Sequence, residues 1–351
     1  MDTLREQVMK FRNTKVATWK SYATNIRQLS SAMTGEEYKN NDFLQDVSGV
    51  CAWIEAKPRS QSKSRLLYSV VLIMLEPDRS KSKLIQQSGE KNIYNLYCDK
   101  LKILSDDYNR NQIEQKKSSK QDINWVEWNI LSKITKQMKK LFHKHKKEGL
   151  YDFDNITKAQ RLFLQDWLIM GLYTLIAPRR LDYANMMIMN RKNYNKLSTD
   201  EKEKHNFLVI VGKNKKFFSF GKQVQKNKNL DRNGIQQSVY ILRVPPKLNN
   251  IMNVYLKYGN PEEKFADNIN MRTLLYNQSM EPLSKNALSQ AVMRITKSWV
   301  NKKVSPTLIR TIFISNTQKN DTKLKFKMDL AEQMGHTTQV AEKYYAKKQA
   351  V

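Results

Sequence analysis

One stretch of the chain decides its fold class: Phe207-Leu208-Val209-Ile210-Val211-Gly212-Lys213-Asn214-Lys215-Lys216-Phe217-Phe218-Ser219-Phe220. Its two ends are rich in β-branched and aromatic residues, and the polar residues between them suit a tight turn, so the stretch predicts a β-hairpin. Residues 238–244 have a similar composition and stop at Pro245-Pro246, where a sheet cannot continue. A small antiparallel β-sheet is therefore predicted here.

The N-terminal third has helical periodicity instead, with apolar residues at spacings of three and four. Four runs show it: one after Thr18, a candidate helix cap, one at 43–55, one from Ser62 to Pro77, and one at 93–104. These runs predict a helical domain over residues 1–111.

The next segment, 112–121, is polar and without periodicity, so we predict that it is a linker. Amphipathic helical patterns resume at Trp125, and a second domain is predicted over 122–351. The predicted fold class is thus mainly α with a small antiparallel β-sheet.

The charge of the chain points to a polyanionic partner. Among 351 residues, Lys and Arg number 62 and Asp and Glu 33, which gives a formal charge of +29. Nucleic acid is the first candidate partner and an anionic membrane the second. No apolar run approaches the ~18 residues of a spanning helix, and the N-terminus lacks the apolar core of a signal peptide. Cys51 and Cys98 lack metal-ligand spacing, so we expect an intracellular protein with reduced thiols.

Three motifs carry the functional prediction. They are Ala177-Pro178-Arg179-Arg180-Leu181-Asp182, then Ser305-Pro306-Thr307-Leu308-Ile309-Arg310-Thr311-Ile312-Phe313, then Gly335-His336 with Tyr345 nine residues after the histidine. This order resembles the catalytic domain of the tyrosine recombinases, the phage-integrase and Xer family, over roughly the C-terminal two-thirds of the chain. The resemblance implies a helical N-terminal DNA-binding domain plus a tyrosine-recombinase catalytic domain. It also implies an enzyme that cuts and rejoins DNA through a 3′-phosphotyrosyl bond, without a metal or other cofactor.

Metal-free strand cleavage requires a nucleophile and fixed cations around the phosphate. By the resemblance, Tyr345 is the nucleophile, with its neighbour Tyr344 as the alternative. Arg310 is one cation. Arg179 is the other, with Arg180 as its alternative, and the acidic residue three positions after Arg179 would orient its guanidinium from one helical turn away. An arginine fork suits this task because it matches phosphate oxygens in pairs and keeps its charge.

The departing 5′-oxygen needs a proton from a general acid. The family uses a lysine at the end of the strand before the last strand, which implies Lys222, with Lys213 and Lys226 as alternatives. His336 would hydrogen-bond the phosphate or carry the tyrosine proton. The chain departs from the family at two histidine positions of the second motif, which are Thr307 and Thr311. Threonine can donate a hydrogen bond but cannot act as a cation.

The resemblance further implies double-stranded DNA as the partner, gripped by both domains, and a homo-tetramer on paired recombination sites. The composition is similar to that of integrases from mobile elements and eukaryotic DNA viruses. Two other functions are kept as alternatives: a type IB topoisomerase, and a non-cleaving DNA-binding protein on the same fold, which the two threonines favour.

Overall fold

The computed structural model describes residues 1–56, 59–153, 155–221, 239–260, 272–317 and 322–347. The chain divides into two compact units, Met1–Glu114 and Gln115–Val351. Within the segment 112–121, helix α6 extends to Ile113 and helix α7 begins at Ser119, so irregular backbone is confined to the residues between them.

The first unit is helical. Its elements are α1 (Asp2–Arg12), α2 (Val16–Thr34), a 3₁₀ turn (Asp42–Gln45), α3 (Val47–Ala56), α4 (Gln61–Leu75), α5 (Arg79–Gln87) and α6 (Ile93–Ile113). Polar side chains cap several of these helices: Ser60 accepts a hydrogen bond at the start of α4 and Asp78 at the start of α5. Thr18 is not a cap, because α2 already begins at Val16. The apolar stripes predicted from the sequence meet in one core that includes Ile26, Leu67 and Tyr97.

The second unit is mostly helical as well. Its helices are α7 (Ser119–Ile123), α8 (Trp128–Lys147), α9 (Lys158–Thr174), α10 (Arg191–Lys196), α11 (Thr199–Lys204), α12 (Pro246–Val254), α13 (Lys285–Val300), α14 (Pro306–Thr317), α15 (Leu324–Met334) and α16 (Thr338–Val340). Two π-helical turns, Tyr255–Gly259 and Ala341–Tyr345, complete the helical elements described. The predicted class, mainly α with a small sheet, is confirmed.

The sheet has five strands in the order β4-β3-β2-β1-β5. They are β1 (Met187–Asn190), β2 (Phe207–Gly212), β3 (Lys215–Gly221), β4 (Val239–Arg243) and β5 (Arg272–Thr273). Strands β2, β3 and β4 pair antiparallel, as predicted. The sheet is nevertheless mixed, because β1 pairs with β2 in parallel. A parallel pair needs a crossover connection, and helices α10 and α11 supply it.

The core of the second unit fixes the elements that carry the predicted site residues. Helix α9 is buried along most of its length, and Trp167 and Tyr173 pack in the same cluster as Phe218 and Phe220 of β3. The chain between α9 and β1 is a series of turns, held against the sheet by buried Tyr183. Among the described residues, no helix combines the length and the apolarity required to span a bilayer.

Candidate active site

Four predicted site residues come together from four separate segments. Arg179 lies on the turns after α9, Arg310 on α14, His336 just after α15, and Tyr345 at the end of the second π turn. The guanidinium carbon of Arg310 is 4.8 Å from the centroid of the Tyr345 ring. The rings of His336 and Tyr345 stack with centroids 5.2 Å apart. The first and last of these residues, Arg179 and Tyr345, are 166 positions apart in sequence, so only the tertiary fold assembles the four.

Arg179 is completely buried and is held on three sides. Its Nε donates to Asp182 Oδ2 at 2.5 Å, and its Nη1 donates to the Gln333 carbonyl at 2.6 Å. Its guanidinium carbon lies 3.9 Å from the centroid of the Phe220 ring. The predicted partnership with the acid three residues later is present. The predicted helix is wrong, because α9 ends at Thr174 and Asp182 reaches back across a turn.

Arg180, the alternative first arginine, is exposed. Its carbonyl accepts a hydrogen bond from the Tyr173 hydroxyl at 2.7 Å, so its backbone helps to shape the turn while its side chain stays outside the cluster. Of the two arginines, the structure brings Arg179 to Arg310 and His336.

Arg310 is also buried, with 3% of its surface exposed. Its Nη1 donates to the carbonyls of Met334 at 2.9 Å and Pro178 at 3.1 Å. Burial lowers the pKa of Arg310 from its ordinary value, and the neighbouring Tyr345 hydroxyl acts in the opposite direction. A guanidinium remains charged in proteins, so two fixed cations are buried side by side.

Three polar nitrogens of this cluster are buried without a hydrogen-bond partner in the part of the chain that the structure describes: Arg179 Nη2, Arg310 Nε and His336 Nε2. Each unpaired buried group costs about 1–3 kcal/mol. Two of them are donors on cations, and an anion with several oxygen atoms would satisfy both. The cluster therefore has the chemistry of an oxyanion site beside a tyrosine. The described residues contain no group of three or more His, Cys, Asp or Glu that could hold a metal ion.

His336 is positioned as a hydrogen-bond acceptor. Its Nδ1 lies 3.0 Å from the Thr337 carbonyl. A carbonyl can only accept, so Nδ1 carries the proton of the neutral ring and Nε2 keeps a lone pair. Burial, together with the charges of Arg310 and Arg179, lowers the pKa of His336 to about 4. At neutral pH the ring is therefore uncharged and its Nε2 can take a proton.

This pKa predicts a pH-dependent stability. Above pH ~6.5 the histidine is neutral in both the folded and the unfolded chain. Between that value and the folded pKa of about 4, only the unfolded chain binds the proton, so the free energy of unfolding falls as the pH falls. The expected slope is at most about 1.4 kcal/mol per pH unit. Urea unfolding at several pH values should give a flatter profile for His336→Gln.

The control for this prediction is His143→Gln, which changes an exposed histidine of the same unit. It should keep the wild-type slope. Equal slopes for wild type and His336→Gln between pH 4 and 6.5 would show that His336 is not the group responsible.

Gly335 is required by the close approach of Arg179. Its φ of +71° is in the left-handed region, and a Cβ there would lie 2.6 Å from Arg179 Nη2. We predict that Gly335→Ala lowers the free energy of unfolding by about 3 kcal/mol, from backbone strain plus displacement of the guanidinium. Urea denaturation measures the change.

A matched control separates the two causes. Gly149 has nearly the same φ, +69°, but nothing lies within 4 Å of the position its Cβ would take. Gly149→Ala should therefore show the backbone cost alone, about 1 kcal/mol. If both substitutions cost the same, the contact between Gly335 and Arg179 does not constrain the site.

The two tyrosines differ in environment. Tyr345 packs against a small buried cluster that includes Ala177, Ile314 and Met334. Tyr344 is 42% exposed, and its ring lies near the Lys343 ammonium group. Tyr345 is thus the one that the structure brings to the arginines.

The lysine predictions have different outcomes. Lys222 and Lys226 lie outside the described residues. Lys213 is exposed on the turn between β2 and β3. Phe220, which contacts Arg179, is at the other end of β3, so the length of this strand, about 20 Å, separates Lys213 from the cluster.

Sequence reasoning missed Lys216, which is buried in β3. Its Nζ donates to the Lys213 carbonyl, to Asn249 Oδ1 and to Asn253 Oδ1, at 2.8, 2.8 and 2.6 Å. Three acceptors satisfy the three N–H groups of an ammonium, so this lysine fastens the hairpin to α12. The signal in the sequence was a lysine at a strand position that alternates with Phe218 and Phe220, both of which face inward.

The two threonines of the second motif do not supply a cation. Thr307 is exposed, whereas Thr311 is buried and donates its hydroxyl to the Thr307 carbonyl at 3.1 Å. Ser305 and Pro306 of the same motif start α14: the Ser305 hydroxyl accepts from the Leu308 amide at 3.2 Å, and proline occupies the first helical position.

No protein-family model and no curated protein matches this sequence. Among solved structures, the crystal structure of XerA recombinase is similar to this chain. The alignment covers 99% of this chain and 95% of that one, with 12% sequence identity and a TM-score of 0.34.

Proposed function

We propose that this protein is a tyrosine recombinase that cleaves and rejoins DNA strands through a 3′-phosphotyrosyl intermediate. One observation carries the proposal: two buried arginines, each with an unpaired donor, adjoin a histidine with an unpaired nitrogen and a tyrosine. A phosphodiester would satisfy the arginine donors and bring its phosphorus to the tyrosine hydroxyl. The family suggested by the three sequence motifs uses residues of the same kinds.

The proposed roles of the two arginines and of His336 follow from their unpaired nitrogens, and those of Tyr345 and Lys222 follow from the resemblance. Arg179 Nη2 and Arg310 Nε donate to the non-bridging oxygens, where negative charge grows in the transition state. The Tyr345 oxygen attacks phosphorus and its proton passes to His336 Nε2. The new bond joins the tyrosine oxygen to phosphorus, and the bond from phosphorus to the 5′-oxygen breaks. Lys222 protonates that 5′-oxygen. Rejoining is the same sequence in reverse, and the phosphotyrosyl ester conserves the energy of the broken bond.

The finer features of the proposal come from the resemblance. Residues 1–111 would be the helical DNA-binding domain, 112–121 the linker and 122–351 the catalytic domain. Both domains would bind duplex DNA, and four copies would assemble on paired sites. The chain would act as the integrase of a mobile element or of a eukaryotic DNA virus.

The experiment that tests the proposal begins by selecting bound duplexes from a random library. Selected sites are then rebuilt as suicide duplexes, in which a nick lets the cleaved end diffuse away and traps the covalent product. We expect a denaturant-resistant protein–DNA band with the protein on the 3′ phosphate. Tight binding without any covalent product would contradict the proposed chemistry.

The same assay distinguishes the non-cleaving alternative, and plasmid relaxation distinguishes the topoisomerase. A non-cleaving DNA-binding protein is the second candidate, because Thr307 and Thr311 provide no charge beside Arg310. It would bind selected duplexes and give no covalent band. A type IB topoisomerase would also give the covalent band, but it would relax supercoiled plasmid as a monomer and without a paired site.

The assignment of the general acid is testable by changing the leaving group. We predict that Lys222→Ala slows cleavage by about 10²–10⁴-fold on an ordinary duplex. A duplex with sulfur in the 5′-bridging position should restore the rate, because a thiolate departs without a proton. Lys213→Ala and Lys226→Ala are the controls and should cleave the ordinary duplex at the wild-type rate. Rescue of Lys213→Ala by sulfur, and not of Lys222→Ala, would transfer the role to Lys213.

A further inference from the structure

The segment that carries Tyr345 is fastened to helix α14 by the side chain of Ser315. The Ser315 hydroxyl donates to the Tyr345 carbonyl at 3.3 Å, and it accepts a hydrogen bond from the Lys347 amide at 2.8 Å. Ser315 lies on α14, five residues after Arg310. The same helix therefore carries one of the two buried cations and the group that holds the backbone of the tyrosine.

These two hydrogen bonds serve backbone groups at a buried end of the second π turn. Ala346 and Lys347, the residues that follow the turn, are both buried. Buried amides and carbonyls need partners within the protein, because water cannot reach them. The turn itself closes through the Ala346 amide, which donates to the Ala341 carbonyl at 2.9 Å. Ser315 supplies a partner to the residue on each side of Ala346.

Helix α14 sets the distance between the cation and this attachment. Five residues of α-helix span about 7.5 Å along the axis. The helix is fixed in its unit by buried side chains, which include Ile309, Ile312 and Ile314. A nucleophile must come within about 3–3.5 Å of the atom that it attacks. If a phosphate binds to Arg310 Nε, a shift of the π turn relative to α14 would carry the Tyr345 oxygen out of that range.

We propose that Ser315 is a positioning residue for strand cleavage. It holds the backbone of Tyr345 against α14, at the place from which the tyrosine oxygen reaches the phosphorus. Ser315 acts through Tyr345, because both of its hydrogen bonds go to the segment that carries the tyrosine. It lies two residues beyond Phe313, the last residue of the second sequence motif. The inference rests on the proposed function, since it assumes that Tyr345 is the nucleophile.

The first measurement is the single-turnover rate of cleavage of the suicide duplex by the full chain. Ser315→Ala should slow cleavage by about 10- to 100-fold, because a displaced nucleophile attacks rarely, while the affinity for the duplex stays the same. Thr317→Val is the matched control. It removes a hydroxyl from the same helix, one that donates to the Phe313 carbonyl at 2.7 Å, and it should cleave at the wild-type rate. Equal rates for the two variants, whether fast or slow, would overturn the inference.

The second measurement follows the position of the tyrosine in the free protein. The full chain is labelled with 3-fluorotyrosine, and Tyr345→Phe identifies the fluorine resonance of Tyr345. In wild type this resonance should differ from that of a solvated fluorotyrosine, because the ring stacks on His336. Ser315→Ala should move the resonance toward the solvated value, and Thr317→Val should leave it in place.

The two measurements together separate failure of the inference from failure of the proposed function. Slow cleavage by Ser315→Ala with an unmoved Tyr345 resonance would mean that Ser315 acts on another part of the protein, and the inference would be overturned. If wild type formed no covalent product, the proposed function would fail. The fluorine resonance would still show whether Ser315 holds the tyrosine in place.

Discussion

Tyr345→Phe is expected to abolish the covalent protein–DNA product, whereas Tyr344→Phe is expected to form it as wild type does. The reason is position: Tyr345 stacks on His336 and lies against Arg310, and Tyr344 is exposed beside Lys343. The two substitutions remove the same hydroxyl from adjacent residues, so each is the control for the other. Both substitutions keep the aromatic ring, so any difference in product yield depends on where the lost hydroxyl lies.

The measurement is the yield of covalent product on a suicide duplex, with duplex binding measured in parallel. Tyr345→Phe should still bind the duplex, because phenylalanine preserves the packing against Ile314 and Met334. Mass spectrometry of the wild-type product should find the nucleotide on Tyr345. Loss of product in Tyr344→Phe only would preserve the enzyme class and move the nucleophile by one residue.

The second large effect is expected at the first arginine. Arg179→Lys should lower the rate of cleavage by about a thousandfold, because lysine keeps the charge but cannot bind Asp182 and the phosphate together. Arg180→Lys makes the same change one residue later, at an exposed side chain, and should leave the rate nearly unchanged. Single-turnover rates on the suicide duplex measure both.

Loss of folding is separated from loss of chemistry by a second substrate. A methylphosphonate at the scissile position removes one charged oxygen, so the penalty of Arg179→Lys should shrink on it. A variant that has merely lost its structure would be equally slow on both substrates. Similar penalties for Arg179→Lys and Arg180→Lys would mean that burial beside Arg310 does not identify the functional residue.

Apolar periodicity was enough to predict most of the long helices and the three antiparallel strands. It failed where the pattern is weak. Helix α5 has one buried residue, Ser82, and strand β1 has one β-branched residue, Ile188, beside two methionines and an asparagine. The parallel pairing of β1 with β2 depends on the packing of α10 and α11, and no local pattern encodes that.

The candidate site was predictable as a set of residue types and not as an arrangement. Motif order singled out Arg179, Arg310, His336 and Tyr345. The groups that orient them are largely backbone carbonyls, such as those of Gln333 and Met334, and a sequence contains no sign of which carbonyls will face a guanidinium. The unpaired nitrogens were not predictable from the sequence either, because they depend on which acceptors the folded chain places within hydrogen-bond distance.

The π turn at Ala341–Tyr345 bears on how relatives of this chain can be recognised. Its closing hydrogen bond runs from the Ala346 amide to the Ala341 carbonyl at 2.9 Å, so the turn holds one residue more than an α turn. A homologue with ordinary α winding would need one residue fewer between its histidine and its tyrosine to hold the hydroxyl at the same point. Searches that demand a fixed interval of nine would overlook it. Natural variation in length, and not only in residue type, is therefore to be expected just before the nucleophile.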